Sequence, residues 1–267
     1  MSRQTAQATV EYLGLGLLVL VVVVAAATAA ARVAAAHPPR GGDRGRLALA
    51  ARHTPLLALE TGGDVEQPVD FRRCREVGCA GAGARPVLFA HVVRSGGYVY
   101  LEYWEYLPDS RFAHTGLPPV DGYHRDDWEG VIVKLRADGG MVGARATAHL
   151  GFTGRHPWWD LRRDDWAPYP ATVYRAAGSH AGGFARTGLD LAGDRWNGTA
   201  ATVRPALVAA DEAATTTATF DPGSVPPWEK QAWSDPEAVV TGRPGDSGAY
   251  ARYARWWADA CLVCRWE

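Results

Sequence analysis

Between residues 87 and 150 apolar and polar positions alternate with the two-residue period of a β-strand, and glycine pairs punctuate the runs. Residues 87–93, VLFAHVV, and 98–106, YVYLEYWEY, are rich in aromatic and β-branched side chains, with Gly96-Gly97 between them suited to a hairpin turn. In the second run Tyr98, Tyr100, Glu102, Trp104 and Tyr106 share one parity, and Val99, Leu101, Tyr103, Glu105 and Leu107 the other. One of these faces is expected to be wet or partly functional. Residues 131–135, VIVKL, predict a third strand, Gly139-Gly140 a turn, residues 141–150 a fourth strand, and residues 171–176, ATVYRA, a further one before Gly178-Ser179-His180. Without regular alternation of strands and long helices, this pattern predicts a mainly β chain, an antiparallel β-sandwich, ahead of a mixed α+β domain.

A different pattern occupies the start. Residues 13–31, LGLGLLVLVVVVAAATAAA, carry no charge; as a helix they would reach about 28 Å, close to the thickness of a hydrocarbon core. They predict a single N-terminal transmembrane helix, preferred over a cleaved secretory signal because the run exceeds the usual h-region. Pro38-Pro39 and Gly41-Gly42 then suit a linker. The expected organisation is a membrane anchor over residues 1–36, a linker over 37–59 with an apolar stretch suited to a short helix, and a β-sandwich domain over 60–267. Residues 249–261 suit a terminal helix or irregular aromatic packing.

At 267 residues and 47 % apolar composition the chain can bury one substantial core. Its 28 basic and 29 acidic side chains give a net charge of -1, so no nucleic-acid partner is expected. Arg32, Arg40, Arg44, Arg46 and Arg52 follow the apolar run while only Arg3 precedes it, which taken alone would keep the large domain inside. Long domains translocate despite local charge, and the large domain is expected to be extracytoplasmic. Cys74, Cys79, Cys261 and Cys264 form two local pairs. In an exported chain they favour disulfides, either between the two regions or within each, over a zinc site.

Candidate chemistry concentrates in residues 121–129, DGYHRDDWE. Asp127 and Glu129 are two apart and point to one face of an extended backbone, with Trp128 opposite as a core anchor. Asp109, after Pro108 at the end of the Tyr-rich run, can approach them across an antiparallel pair. Carboxylates gathered without an evident lysine call for a cation, so Asp109, His124, Asp127 and Glu129 are candidate metal ligands. Ca²⁺ is expected before Mg²⁺ or Mn²⁺, because it tolerates several oxygen ligands in irregular geometry. Asp126 is open between a supporting contact, a fifth oxygen ligand and a solvated position. His180 either faces that pocket or satisfies a turn, the second being preferred. Ser179-His180 lacks a Gly-x-Ser-x-Gly setting and is not read as a nucleophile pair.

With those residues in view, the chain resembles the necrosis- and ethylene-inducing-like proteins, secreted cytolysins with a β-sandwich. Tyr123-His124-Arg125-Asp126-Asp127-Trp128-Glu129 matches five of the seven residues of that family's Gly-His-Arg-His-Asp-Trp-Glu, and residues 103–109 resemble its preceding aromatic strand. The resemblance implies a divalent cation, typically Ca²⁺, at Asp109, His124, Asp127 and Glu129. The chain departs from the pattern at Tyr123, at Asp126 and in an insert over residues 110–122. Residues 7–14, QATVEYLG, resemble the start of bacterial pilin-like proteins of the tight-adherence type. The expected function is a membrane-anchored, extracytoplasmic, cation-binding recognition domain. Its expected partners are the membrane and an envelope glycan, lipid headgroup or protein. A metal-assisted hydrolase, a pilin-like assembly subunit and a cytolysin-like toxin are the alternatives.

Overall fold

The structure, a computed structural model, describes residues 41–61, 66–81, 83–114, 120–149, 151–156, 162–184, 199–222, 224–246 and 248. The apolar run over residues 13–31, Cys261 and Cys264, and the C-terminal segment lie outside these. Among the described residues no helix is long and apolar enough to cross a membrane. The chain divides into two compact units, Met1–Gly45 and Arg46–Glu267, and among the described residues every strand belongs to the second.

Helix α1 (Gly41–Arg52) leads into ten strands: β1 (Leu56–Glu60), β2 (Val87–Ser95), β3 (Tyr98–His114), β4 (Val120–Arg136), β5 (Met141–Ala148), β6 (Gly151–Thr153), β7 (Thr172–Arg175), β8 (Gly182–Gly183), β9 (Ala200–Val203) and β10 (Ala206–Ala209), the last followed by the one-turn α2 (Ala210–Ala213). They form a six-stranded sheet, β10-β2-β3-β4-β5-β6, and a four-stranded sheet, β8-β7-β1-β9. The mainly β sandwich read from the alternation is the observed fold. Gly96 and Gly97, at φ 57° and 81°, make the two-residue hairpin between β2 and β3, whose strand twist favours positive φ at both positions. The sheets are not wholly antiparallel: β1 runs parallel to β7 and β10 parallel to β2, because distant segments return to these edges by long connections.

Between the sheets, Leu57, Leu59 and Val173 pack with Leu101, Tyr103, Val131 and Val133. Residues 46–60 therefore belong to the fold and not to a linker. Ala50 is fully buried, with its carbonyl accepting from the Tyr103 hydroxyl at 2.7 Å, and β1 is the strand that joins β7 to β9.

The second face of β3 also departs from expectation, since neither face is wet. Tyr100, Trp104 and Tyr106 are buried beneath Val69, Phe71 and Phe220 from irregular segments and Trp228 from the 3₁₀ turn Pro227–Glu229. Phe71 sits 5.4 Å from Trp128 and 5.7 Å from Tyr106 between ring centroids, so edge-to-face aromatic packing closes the face that alternation alone leaves open.

Candidate functional site

Pairing of β3 with β4 sets the carboxylates. Glu105 lies opposite Glu129, Leu107 opposite Asp127 and Asp109 opposite Arg125, so Glu105 and Asp109 share a side with Glu129 and Asp127. Two carboxylates directly across a ladder repel unless a cation intervenes, and here Arg175 of β7 does so. Its Nη2 donates to Glu105 Oε1 at 2.6 Å, and its Nη1 lies 3.6 Å from Glu129 Oε2. Nη2 also donates to the Gly130 carbonyl at 3.1 Å, while Glu129 accepts from the Thr147 hydroxyl. Burial, then the neighbouring Asp127 charge, push Glu129 well above the usual carboxylate range. Burial lowers the Lys230 ammonium, and Glu129 and Asp127 act against that fall.

Asp127 behaves differently. Burial works against its charge, yet the hydrogen bond from His180 and the His180 and His124 charges hold it below the usual value. His180 Nδ1 is 2.9 Å from Asp127 Oδ2, and His124 Nε2 is 3.9 Å from Oδ1. His180 Nε2 lies 3.7 Å from Glu66 Oε2, a buried oxygen without a hydrogen-bond partner. Glu66 shares a hydrogen bond with Asp109, and burial first, then Asp109, raise it to about 7. Asp109 in turn accepts from Arg111 Nε at 3.2 Å. His180 therefore faces the acidic site while also occupying a turn, with a left-handed backbone at φ 59°. Beside it lies a narrow cleft lined by Leu59, Glu60, Glu66, Glu105, Leu107, Arg175, Ala176, Ala177, Gly178 and His180.

The candidate ligands read from the sequence thus share one region but hold different partners: Asp127 with His180 and His124, Glu129 with Thr147 and Arg175, Asp109 with Arg111 and Glu66. Among the described residues no group of three or more His, Cys, Asp or Glu side chains stands in an arrangement that could hold a metal ion. Asp109 and Asp127 both connect to Glu66, the first through a shared hydrogen bond and the second through His180, and one Glu66 oxygen has no hydrogen-bond partner. Glu129 is already met by Arg175. Sequence reasoning missed Glu66, Glu105 and Arg175. The parity that Glu105 shares with Asp109 pointed to it, whereas nothing local marked Arg175 or Glu66.

Asp126 is none of the three things left open for it. Its side chain lies on the face of Tyr106 and Trp128, opposite the acidic one, and its backbone holds a positive φ of 59°. It accepts from the Tyr106 hydroxyl at 2.5 Å, Arg75 Nη2 at 2.8 Å and the Asp221 backbone N–H at 2.9 Å, joining β4 to two distant loops. Cys74 and Cys79 form a disulfide in the adjoining segment, so the first cysteine pair is bridged locally.

No family model matches the chain, and no curated protein matches it. Among solved structures it is similar to NLPPya in complex with glucosamine, at 22% identity over 70% of this chain and 86% of that one, with a TM-score of 0.43. NLPPya in complex with mannosamine is similar at 23% identity over 73% and 90%, TM-score 0.43. Necrosis and Ethylene inducing Protein 2 from the causal agent of cocoa's Witches Broom disease is similar at 23% identity over 54% and 71%, TM-score 0.34. The likeness is distant, and it falls on the same group of proteins that residues 123–129 resemble.

Proposed function

We propose that the Arg46–Glu267 unit is an extracytoplasmic recognition domain that takes a glycan of the cell envelope or membrane surface at the acidic cleft. The observation that carries this reading is the concentration of Glu66, Glu105, Asp109, Asp127 and Glu129 around that cleft, against the resident cations Arg175, Lys230 and Arg111. Unrelieved carboxylates accept from the hydroxyl and ammonium donors of an amino sugar, the kind of ligand present in the NLPPya structures. A local disulfide between Cys74 and Cys79 supports an oxidising compartment. The apolar residues 13–31 would supply the membrane anchor.

A divalent cation, Ca²⁺ before Mg²⁺ or Mn²⁺, belongs to the same proposal. Asp109, His124 and Asp127 would hold it, with Glu129 behind them. The cation would neutralise the carboxylates and present open coordination positions to ligand oxygens. Asp127 would release its bond from His180, while Asp109 would keep its bond from Arg111 on one oxygen and turn the other to the cation. Calorimetric titration of the purified protein with CaCl₂, then with glucosamine, tests both parts. Saturable binding that Asp127→Asn weakens about tenfold or more supports the site, whereas no heat at millimolar concentrations of either probe refutes it.

A second reading, a cytolysin-like toxin, is favoured by the five heptapeptide residues kept at 123–129. Dye release from vesicles bearing glycosylated lipids, lost in Asp127→Asn, would support it. Tight binding to such vesicles with full dye retention would leave recognition without lysis.

A further inference from the structure

Where the resembled family has glycine at the head of the heptapeptide, this chain has Tyr123. Tyr123 is 57% exposed, the most exposed of the large apolar and aromatic side chains among the described residues. A lone exposed ring needs no explanation, but this one is anchored to the site. It pairs across the ladder with Arg111, whose guanidinium carbon sits 5.3 Å from the Tyr123 ring centroid. The Arg111 Nε donates to the buried Asp109 carboxylate at 3.2 Å. The Arg111 backbone is fixed as well: its N–H donates at 2.8 Å to the carbonyl of Gly178, a lining residue of the cleft. Gly178 holds φ 81°, and a Cβ there would collide with the Arg111 carbonyl oxygen, so only glycine permits this approach. One flank of the ring thus rests on a cation tied to a site carboxylate, while much of its remaining surface faces solvent.

We propose that Tyr123, held by Arg111, is a specificity-determining platform of the cleft, selecting ligands whose ring presents an apolar C–H face while their hydroxyl or ammonium groups enter the carboxylates. It rests on the glycan reading above and adds to it that the site reads ring shape, not only polar groups. A flat, two-torsion side chain offers contact area at low entropic cost. An open chain also loses more conformational freedom on binding than a ring, so the contribution of Tyr123 is read from the change in preference when its ring is removed.

The experiment titrates the full-length protein with glucosamine and with glucosaminitol, the reduced open-chain form that keeps the ammonium and hydroxyls, gains the C5 hydroxyl and lacks the ring. Wild type is expected to prefer glucosamine by about three- to tenfold, the range of a single aromatic face contact. Tyr123→Ala should reduce the preference by about threefold or more and Tyr123→Phe should keep it. Saturation-transfer NMR should place the strongest transfer on the sugar's ring C–H protons in wild type and Tyr123→Phe. Asp127→Asn should weaken both ligands alike and leave the preference. If Tyr123→Ala keeps the preference while Asp127→Asn weakens binding, the platform is overturned and the glycan site stands. If wild type binds neither ligand, both readings fall together.

Discussion

Glu102 offers the sharpest test of the packing argument, because it sits in β3 at 0% exposure on the aromatic face, away from the acidic cleft. One carboxylate oxygen accepts from Trp104 Nε1 at 2.9 Å, and the other has no hydrogen-bond partner. Burial raises the group to about 7 from an ordinary 4.5, even though His91 nearby favours its charge. Between those two values the folded protein keeps a proton that the unfolded chain has released. The Glu102 contribution to stability is therefore fully present below pH 4.5 and is lost as pH rises through about 7. The difference between about 7 and 4.5, at about 1.36 kcal/mol per pH unit, amounts to about 3 kcal/mol at pH 8. Glu102→Gln has nearly the same shape, keeps an oxygen for Trp104 and carries no charge to desolvate. Urea unfolding of wild type and variant at pH 4.5 and pH 8 should show near-equal stability at the lower pH. At the higher pH the variant should be more stable by up to that amount. Parallel stability profiles across the range, or a variant less stable at pH 8, would refute the claim that Glu102 is a desolvated carboxylate.

Arg175→Gln should destabilise the fold by roughly 3–5 kcal/mol in denaturant titration, because it strips Glu105 and Glu129 of their shared buried cation. Arg175→Gln combined with Glu105→Gln should recover part of that loss; no recovery would mean that Arg175 acts through packing instead of charge. Gly130→Ala should cost about 1–3 kcal/mol by the same measurement, since its Cβ would lie 2.5 Å from a Trp104 ring carbon inside a filled core. Adding Trp104→Phe should relieve it, and an unchanged penalty would place the strain elsewhere.

The strands were legible where side-chain period and local turn chemistry agree. Gly96-Gly97 and Gly139-Gly140 sit at the β2–β3 and β4–β5 turns; β2, β3 and β4 pair in the register alternation requires, and β4 with β5 does so up to an irregularity at Lys134/Leu135. β1 was not legible, because LLALE has no internal alternation and gains its identity only by pairing with Thr172–Arg175 and Ala200–Val203, more than a hundred residues away. The same limit explains the dry second face of β3. Phe71, Phe220 and Trp228 come from segments with no periodic pattern, so nothing in β3 itself announces that they will cover Tyr100, Trp104 and Tyr106.

For the site, two-residue spacing correctly puts Asp127 and Glu129 on one side and Trp128 on the other, yet proximity did not make the two carboxylates equivalent. Arg175 enters from the opposite sheet and takes up Glu129 with Glu105, while His180 enters from the β7–β8 turn and takes up Asp127. Charge compensation around this cleft is thus divided into two sets: Glu105 and Glu129 are met by the buried Arg175, whereas Asp127 and Asp109 are met by histidines and the exposed Arg111. A mobile cation or ligand can compete only for the second set, since displacing Arg175 would leave a guanidinium buried without its partners. Selectivity should accordingly respond to Asp109, His124, Asp127 and the Tyr123 rim, whereas stability should respond to Glu105, Glu129 and Arg175. Glu129→Gln illustrates the division: it should change stability at fixed pH while leaving the ring preference intact, and a lost preference in a fully folded variant would place Glu129 at the ligand.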